Sequence, residues 1–282
     1  MQETKQQNGS PEVRATKLKA YFARYEGAII AYSGGVDSAL LAYVAHLALG
    51  NKMLAAVADS PSLSRREYRH ALNFARTHKI PLQIIQTQEM QNPFYAANQG
   101  DRCYHCKKAL FERIDELRNQ PGNPLSDSTW PIFYGANLDD LGDYRPGIRA
   151  ADEASILAPY VELNMDKTAI RAVCDFFGLE IAAKPAMPCM ASRIAYGQEV
   201  SAEKLKQVEA AEDFLYDLGF RVLRVRHHGD TARIEILPRD FGLAMQHREN
   251  IARTLHELGF LHVSLDLDGF KSGSLNAALE DK

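Results

Sequence analysis

The six residues Ser33-Gly34-Gly35-Val36-Asp37-Ser38 hold two adjacent glycines, two hydroxyls and one carboxylate. Adjacent glycines let the chain turn tightly enough to aim successive backbone N–H groups inward, and a helix starting there adds its positive N-terminal end. Such a loop suits an anion with many oxygens, above all a pyrophosphate. Ser33 and Ser38 would donate from their hydroxyls, and Asp37 would hold the Mg2+ that accompanies a nucleotide. The loop lacks the Gly-Lys-Ser/Thr ending of the kinase and GTPase kind of phosphate loop. A plain strand-to-helix turn is the competing reading, since Gly and Ser are common there.

Thiols form the second group. Cys103-Tyr104-His105-Cys106 has the spacing of a metal or redox pair, and Cys189 sits in the loop Met187-Pro188-Cys189-Met190-Ala191-Ser192-Arg193. Lys107, Lys108 and a nearby helix N-terminus favour thiolate, which is the form iron and zinc bind. Three cysteines leave one corner of a tetrahedral or cubane site open to an outside ligand. Zinc held with His105 or another His, a redox-active Cys103/Cys106 dithiol and merely structural thiols are the alternatives, and a lone CxxC does not separate them. Cys174 differs: with Ile170, Val173 and Phe177 it falls at helical spacing on an apolar face and reads as core.

Charged side chains form the third group. Around Leu223 to His228, period-two alternation sends Arg224, Arg226 and His228 to one face and Leu223 and Val225 to the other. The arginine face could hold a phosphate by charge-assisted bonds, or be a solvated sheet face. Arg233 and Glu235 share a face in the same way. Glu212, on the helix before, is either a catalytic carboxylate or an exposed one. The carboxylates of Asp139-Asp140-Leu141-Gly142-Asp143 could bind Mg2+ or make turn and cap hydrogen bonds, with Asp139 at the surface. Ser192 and Arg193 either orient a reactant beside Cys189 or cap that loop.

These groups need elements to hold them. The run from Ala28 reads as a short buried strand, Ser38 to Leu49 as a helix apolar nearly all round, and Met53 to Ala58 as a second buried strand ending at Asp59 and Ser60. Leu63 to His78 follows as a polar-faced helix and Leu82 to Thr87 as a third strand. Gly100 to Cys106 reads as a loop, and Lys107 to Arg118 as a helix with Leu110, Phe111, Ile114 and Leu117 inward. Ile132 to Gly135 reads as a fourth strand, and Asp166 to Phe177 as a helix stopped by Gly178. Strands alternating with helices predict an α/β fold on a parallel sheet.

Beyond Ser201 a helix with Leu205, Val208, Phe214, Leu215 and Leu218 inward runs into Leu218-Gly219-Phe220 and a strand. The phrase returns at Leu258-Gly259-Phe260 before a strand over Leu261 to Leu267. This echo predicts a smaller C-terminal α/β unit of two helix-strand modules around a hairpin. The expected domains are residues 1–195, carrying the phosphate loop and the thiols, and residues 196–282.

Composition bounds the partners. The chain has 282 residues, 46% of them hydrophobic, with 33 Lys+Arg against 36 Asp+Glu. That supports a real core and supplies no global positive field, so nucleic acid is not an expected partner. The N-terminus lacks the layout of a secretory signal, and no apolar run approaches roughly 18 residues, so a soluble, cytoplasmic protein away from membranes is expected. In that reducing setting the four cysteines are not a disulfide framework. The first dozen residues, polar and holding Gly9 and Pro11, are expected to fray.

The loop Ser33 to Ser38, between strand and helix, resembles the signature of the PP-loop ATP pyrophosphatases, a Rossmann-like class related to the adenine nucleotide alpha hydrolases. That resemblance implies cleavage of ATP between the α and β phosphates to adenylate a substrate oxygen, with Asp59 and Ser60 near the adenosine. Three further segments narrow it: Tyr134 to Gly147, Cys189 to Gly197, and Arg224-Val225-Arg226 with Ala232-Arg233-Ile234-Glu235. Together with the phosphate loop these look like the LarE family of ATP-dependent sulfur transferases, in the right order over most of the chain.

What this resemblance implies is adenylation of the carboxylates of pyridinium-3,5-biscarboxylic acid mononucleotide and their conversion to thiocarboxylates, on the way to the nickel-pincer nucleotide of lactate racemase and related enzymes. It puts Gly135, Asn137, Asp143, Tyr144 and Arg145 at the rim of the active site, and Asp37, Cys189, Ser192, Arg193, Glu212, Arg224 and Arg226 among the reacting groups. Some members sacrifice a cysteine of their own. Cys103, Cys106 and Cys189 look like the other type, in which three cysteines hold a [4Fe-4S] cluster whose open iron binds the transferred sulfide. ATP, Mg2+ and the cluster are the implied cofactors, with free sulfide or a sulfur-donor protein as the source and a homo-oligomer as the assembly. A tRNA thiolase of the same class is the runner-up; a non-catalytic nucleotide- or metal-binding protein is the alternative outside enzymes.

Overall fold

The protein is described by a computed structural model covering residues 9–125, 129–142, 146–185 and 187–271. In chain order the elements are α1 (Pro11–Phe22), β1 (Ala28–Ala31), α2 (Val36–Leu49), β2 (Met53–Ala58), α3 (Arg65–Thr77), β3 (Leu82–Ile85), α4 (Pro93–Ala96), α5 (Arg102–Arg118), β4 (Ile132–Phe133), α6 (Pro146–Glu153), α7 (Pro159–Glu162) and α8 (Lys167–Phe176). There follow α9 (Ala202–Asp217), β5 (Leu223–His228), β6 (Thr231–Ile236), α10 (Phe241–Gln246), α11 (Arg248–Glu257) and β7 (His262–Leu265). The expected α/β class on a parallel sheet is what the chain adopts. Two compact units emerge: residues 1–87 with 103–187, and residues 88–102 with 188–282. The units thus divide at 187/188, where the sequence reading places a boundary at 195/196, and Gln88–Arg102 joins the second unit.

In the first unit the sheet order is β3-β2-β1-β4, all parallel. Its inner strands β1 and β2 are apolar on both faces because both faces are covered. Ala28, Ile30, Met53, Ala55 and Val57 enter one core with α1, α2 and α8, while Ile29, Ala31, Leu54 and Ala56 enter a second with Phe111, Ile114 and Leu117 of α5. Cys174 is fully buried in the first core, as its helical spacing predicts, and burial pushes its thiol up to about 12.

Two local expectations are corrected. Of the first dozen residues, expected to fray, 1–8 lie outside the described residues, while Pro11 and Glu12 open α1, capped by Ser10, which accepts from Val13 N–H, with Leu18 and Phe22 of the same helix fully buried. The segment Gly100 to Cys106 is not all loop, because α5 begins at Arg102 and carries Cys103 and Cys106 in its first turns. A spacing of three residues is also nearly one helical turn, so the two thiols share a helix face.

In the second unit the sheet order is β5-β6-β7, with β5 and β6 an antiparallel hairpin and β7 parallel to β6. Gly229, at φ +68°, turns the hairpin in a left-handed conformation that glycine adopts without strain. Both Leu-Gly-Phe phrases end a helix ahead of a strand, with Gly219 and Gly259 at positive φ and Phe220 and Phe260 buried. Helix α9 packs on β5 through Leu205, Val208, Ala211 and Leu215; Phe214 and Leu218, expected inward, are only half-buried.

Candidate active site

In the first unit the segment Ser33–Ser38 links β1 to α2. Gly34 has φ +73°, and a Cβ there would lie 2.5 Å from the Ala71 Cβ, so both conformation and space demand glycine. Gly35 caps α2 without a side chain, which leaves the helix N-terminus open to an anion. Ser33 and Ser38 face each other: their hydroxyls are 3.0 Å apart, Ser33 N–H donates to Ser38 Oγ, and Ser38 Oγ–H donates to the Gly35 carbonyl. Asp37 lies in the first turn of α2, and its carbonyl accepts from the buried Tyr160 hydroxyl at 2.8 Å.

Gly135 follows β4 and abuts this loop. A Cβ at Gly135 would lie 3.0 Å from Ser38 N and 3.1 Å from the Asp37 carbonyl carbon, so the structure brings Gly135 together with Asp37 and Ser38. Asn137, fully buried, accepts from Asp139 N–H with its carbonyl, while its amide nitrogen has no partner among the described residues. Asp140 closes the capping box with Asn137, and Asp139, at the surface, accepts from Lys167 N–H. Asp143 and Arg145 lie outside the described residues.

Asp59, just past β2, is tied to Arg65 at 2.5 Å and to Gln86 at 3.2 Å; the guanidinium holds its carboxyl below the usual range. Ser60 is buried, its hydroxyl accepting from Ser62 N–H.

The second unit holds Cys189, which is exposed and precedes a short 3-10 turn over Met190–Arg193. Arg193 has no solvent exposure. Its Nε and Nη2 donate to the two carboxylate oxygens of Glu212, and Nη1 donates to the carbonyls of Pro188 and Cys189. Ser192 Oγ–H also donates to the Cys189 carbonyl, at 2.7 Å. Glu212 is therefore not a merely exposed carboxylate; it also accepts from Val225 N–H and so ties α9 to β5.

Arg224 and Arg226 share a face, as the alternation predicts, but that face is buried, with the arginines 6% and 5% exposed. Arg226 donates to the Ser192 carbonyl and pairs across the hairpin with Glu235 of β6 at 2.9 Å, and Arg233, two residues before Glu235 on the same strand, pairs with it as well. Burial, then the nearby Arg193, pushes Arg224 down to about 10. Asn98 and Arg102, absent from the sequence reading, hold the same loop. Asn98 donates to the carbonyls of Ile194, Ala195 and Gln198, and Arg102 to Ala191 and to Asn98 itself. Nothing local marks them, because the loop carbonyls that their side chains reach are remote in sequence.

Cys103 and Cys106 belong to the first unit and Cys189 to the second. Among the described residues no three His, Cys, Asp or Glu side chains gather to hold a metal ion. Cys103 and Cys189 are exposed, Cys106 is half-buried, and none of the three lies in an apolar core, so each thiol is accessible as a soft ligand within its own unit.

The NAD synthase family profile matches residues 13–114, which span the phosphate loop and β1 to α5. An uncharacterised protein of Synechocystis sp. is 41% identical over 270 residues, covering 95% of this chain and 98% of that one. Pyridinium-3,5-bisthiocarboxylic acid mononucleotide synthase of Lactiplantibacillus plantarum is 33% identical over 251 residues, 89% of each chain. This chain belongs to the LarE family. An uncharacterised protein of Methanocaldococcus jannaschii is also similar, 29% identical over 244 residues. As a LarE-family protein with an intact phosphate loop, the chain is an ATP-using enzyme of the PP-loop class. Among the described residues no helix is long and apolar enough to cross a membrane.

Proposed function

We propose that the protein is an ATP-dependent sulfur transferase that adenylates pyridinium-3,5-biscarboxylic acid mononucleotide and replaces carboxylate oxygen with sulfur, toward a nickel-pincer nucleotide. One observation carries the reading. A loop shaped for a triphosphate shares a chain with a thiol-bearing loop whose Cys189 carbonyl is pinned by Ser192 and Arg193.

In this reading the backbone N–H groups and hydroxyls of Ser33 to Ser38 take the phosphates of ATP, and Asp37 holds Mg2+. Asp59 and Ser60 sit by the adenosine, and Gly135 and Asn137 line the rim, to which the family resemblance also assigns Asp143 and Arg145. Asn137 brings a buried amide donor to that rim. A substrate carboxylate oxygen attacks the α-phosphorus, the bond to the β-phosphate breaks, and pyrophosphate leaves. Sulfide sulfur then attacks the acyl carbon, and AMP departs with the former carboxylate oxygen.

Arg224 and Arg226 anchor the substrate's phosphate, since buried guanidiniums bind an anion strongly once water is excluded. Arg193 and Glu212 hold the Cys189 loop rigid. Cys103, Cys106 and Cys189 would hold the [4Fe-4S] cluster, which supplies a thiophilic iron for the incoming sulfur. The sulfur comes from free sulfide or a donor protein, and a cytoplasmic homo-oligomer completes the reading.

The test is anaerobic incubation with MgATP, the dicarboxylate mononucleotide and sulfide, reading pyrophosphate and thiocarboxylate mass together. Both products should form; pyrophosphate without thiocarboxylate would sink the sulfur step. Iron and acid-labile sulfide should copurify with the protein, and a colourless protein with stoichiometric zinc would overturn the cluster.

A further inference from the structure

Lys184 lies beyond α8 and outside every motif in the sequence, yet its ammonium is at the phosphate loop. Lys184 Nζ donates to the Gly34 carbonyl at 2.9 Å and pairs with Glu67 Oε2 at 2.7 Å. Both side chains are largely buried, at 15% and 12% exposure, so the contact is shielded from solvent and salt. Glu67 is itself fixed in the first turn of α3, where its N–H donates to the Ser64 cap. The same helix holds the loop twice more: Gly34 rests against Ala71, and the Tyr32 hydroxyl donates to the Ala71 carbonyl.

The consequence follows from peptide geometry. In a planar trans peptide the N–H points opposite to the C=O. No cis peptide occurs among the described residues, so a Gly34 carbonyl held by Lys184 turns the Gly35 N–H the other way. That N–H donates only a long bond, 3.4 Å, to the Ser33 hydroxyl in an exposed contact, which leaves it free to turn to a phosphate oxygen. Gly34, at positive φ and without a Cβ, has the conformational freedom to let this peptide flip, so an outside restraint has something to restrain.

We propose that Lys184, braced by Glu67, is a positioning residue for the phosphate loop, fixing the Gly34–Gly35 peptide so that the Gly35 N–H faces the triphosphate. The inference rests on the reading that this loop binds the phosphates of ATP. Lys184 acts through the backbone, and its own charge is spent on Glu67.

The test is calorimetric binding of MgATP and of adenosine to the full chain and to Lys184→Met, Lys184→Arg, Glu67→Gln and the Glu67→Gln/Lys184→Met double variant, with melting temperatures alongside. Lys184→Met should weaken MgATP about 10-fold, the scale of one hydrogen bond with a charged partner, and leave adenosine binding unchanged. Lys184→Arg should restore part of the loss. Glu67→Gln should also weaken MgATP, and the double variant should match Lys184→Met. Unchanged MgATP affinity in Lys184→Met, or equal loss for adenosine, would overturn the proposal. So would tighter MgATP binding by Glu67→Gln, which would mean a lysine released to touch phosphate directly. A wild-type chain that binds no MgATP would instead defeat the ATP reading beneath it.

Discussion

Arg193 donates Nε and Nη2 to the two carboxylate oxygens of Glu212, at 2.9 and 3.0 Å, with the arginine side chain fully buried. The pair joins the carbonyl of Cys189, through Arg193, to the N–H of Val225, through Glu212. Removing Glu212 strands a cation with no water around it. Glu212→Ala should therefore destabilise the protein by about 3–5 kcal/mol, the cost of breaking a buried ion pair from one side. Urea unfolding measures this, and a cost below about 1 kcal/mol would show that the pair holds little.

The two halves of the reaction should separate by mutation. Asp37→Ala should abolish pyrophosphate release, because it removes the Mg2+ ligand at the loop. Cys189→Ala should spare pyrophosphate release and abolish thiocarboxylate formation, since Cys189 is exposed and lies far along the chain from the loop. Equal loss of both steps in the cysteine variant would refute the division.

Gly34→Ala should disable ATP use in a folded protein. The new methyl meets Ala71 at 2.5 Å and the backbone sits at φ +73°, so strain of about 1–2 kcal/mol adds to the clash. Circular dichroism with MgATP titration checks both parts. ATP binding at wild-type strength would mean that the loop relaxes without consequence.

Stability should fall in mild acid. Burial lowers the pKa of His227 and of His228, His227 being further opposed by Lys204 and His228 by Arg233 and Arg226. A histidine whose folded pKa is depressed binds more protons when unfolded, so its contribution is complete above the unfolded value of about 6.5 and is lost as pH falls through the lower folded value. Melting temperature between pH 7 and pH 5 should therefore decline, and His227→Leu should flatten that decline even though it leaves Gln207 without its 3.0 Å partner. A slope unchanged in the variant would assign the effect to other groups.

Much was legible in the residues alone, because it depends on short-range order. The two-sided apolar runs of β1 and β2, the helix after Ser33-Gly34-Gly35-Val36-Asp37-Ser38 and the core position of Cys174 all follow from periodicities of two and 3.6 read within a dozen residues. The alternation that puts Arg224 and Arg226 on one face is equally local.

What tertiary structure alone decided has partners far apart in sequence. Helix α1 mixes charged and apolar residues, so only burial of Leu18 and Phe22 in the core shared with α2 and α8 shows its inner face. That the Arg224 and Arg226 face is buried, and that Glu212 meets Arg193 19 positions away, depends on which segments fold over β5. Lys184 reaches Gly34 across 150 positions, through a topology that no pattern near either residue contains. Periodicity reports which side of an element faces inward; the identity of the group waiting there is a property of the folded chain.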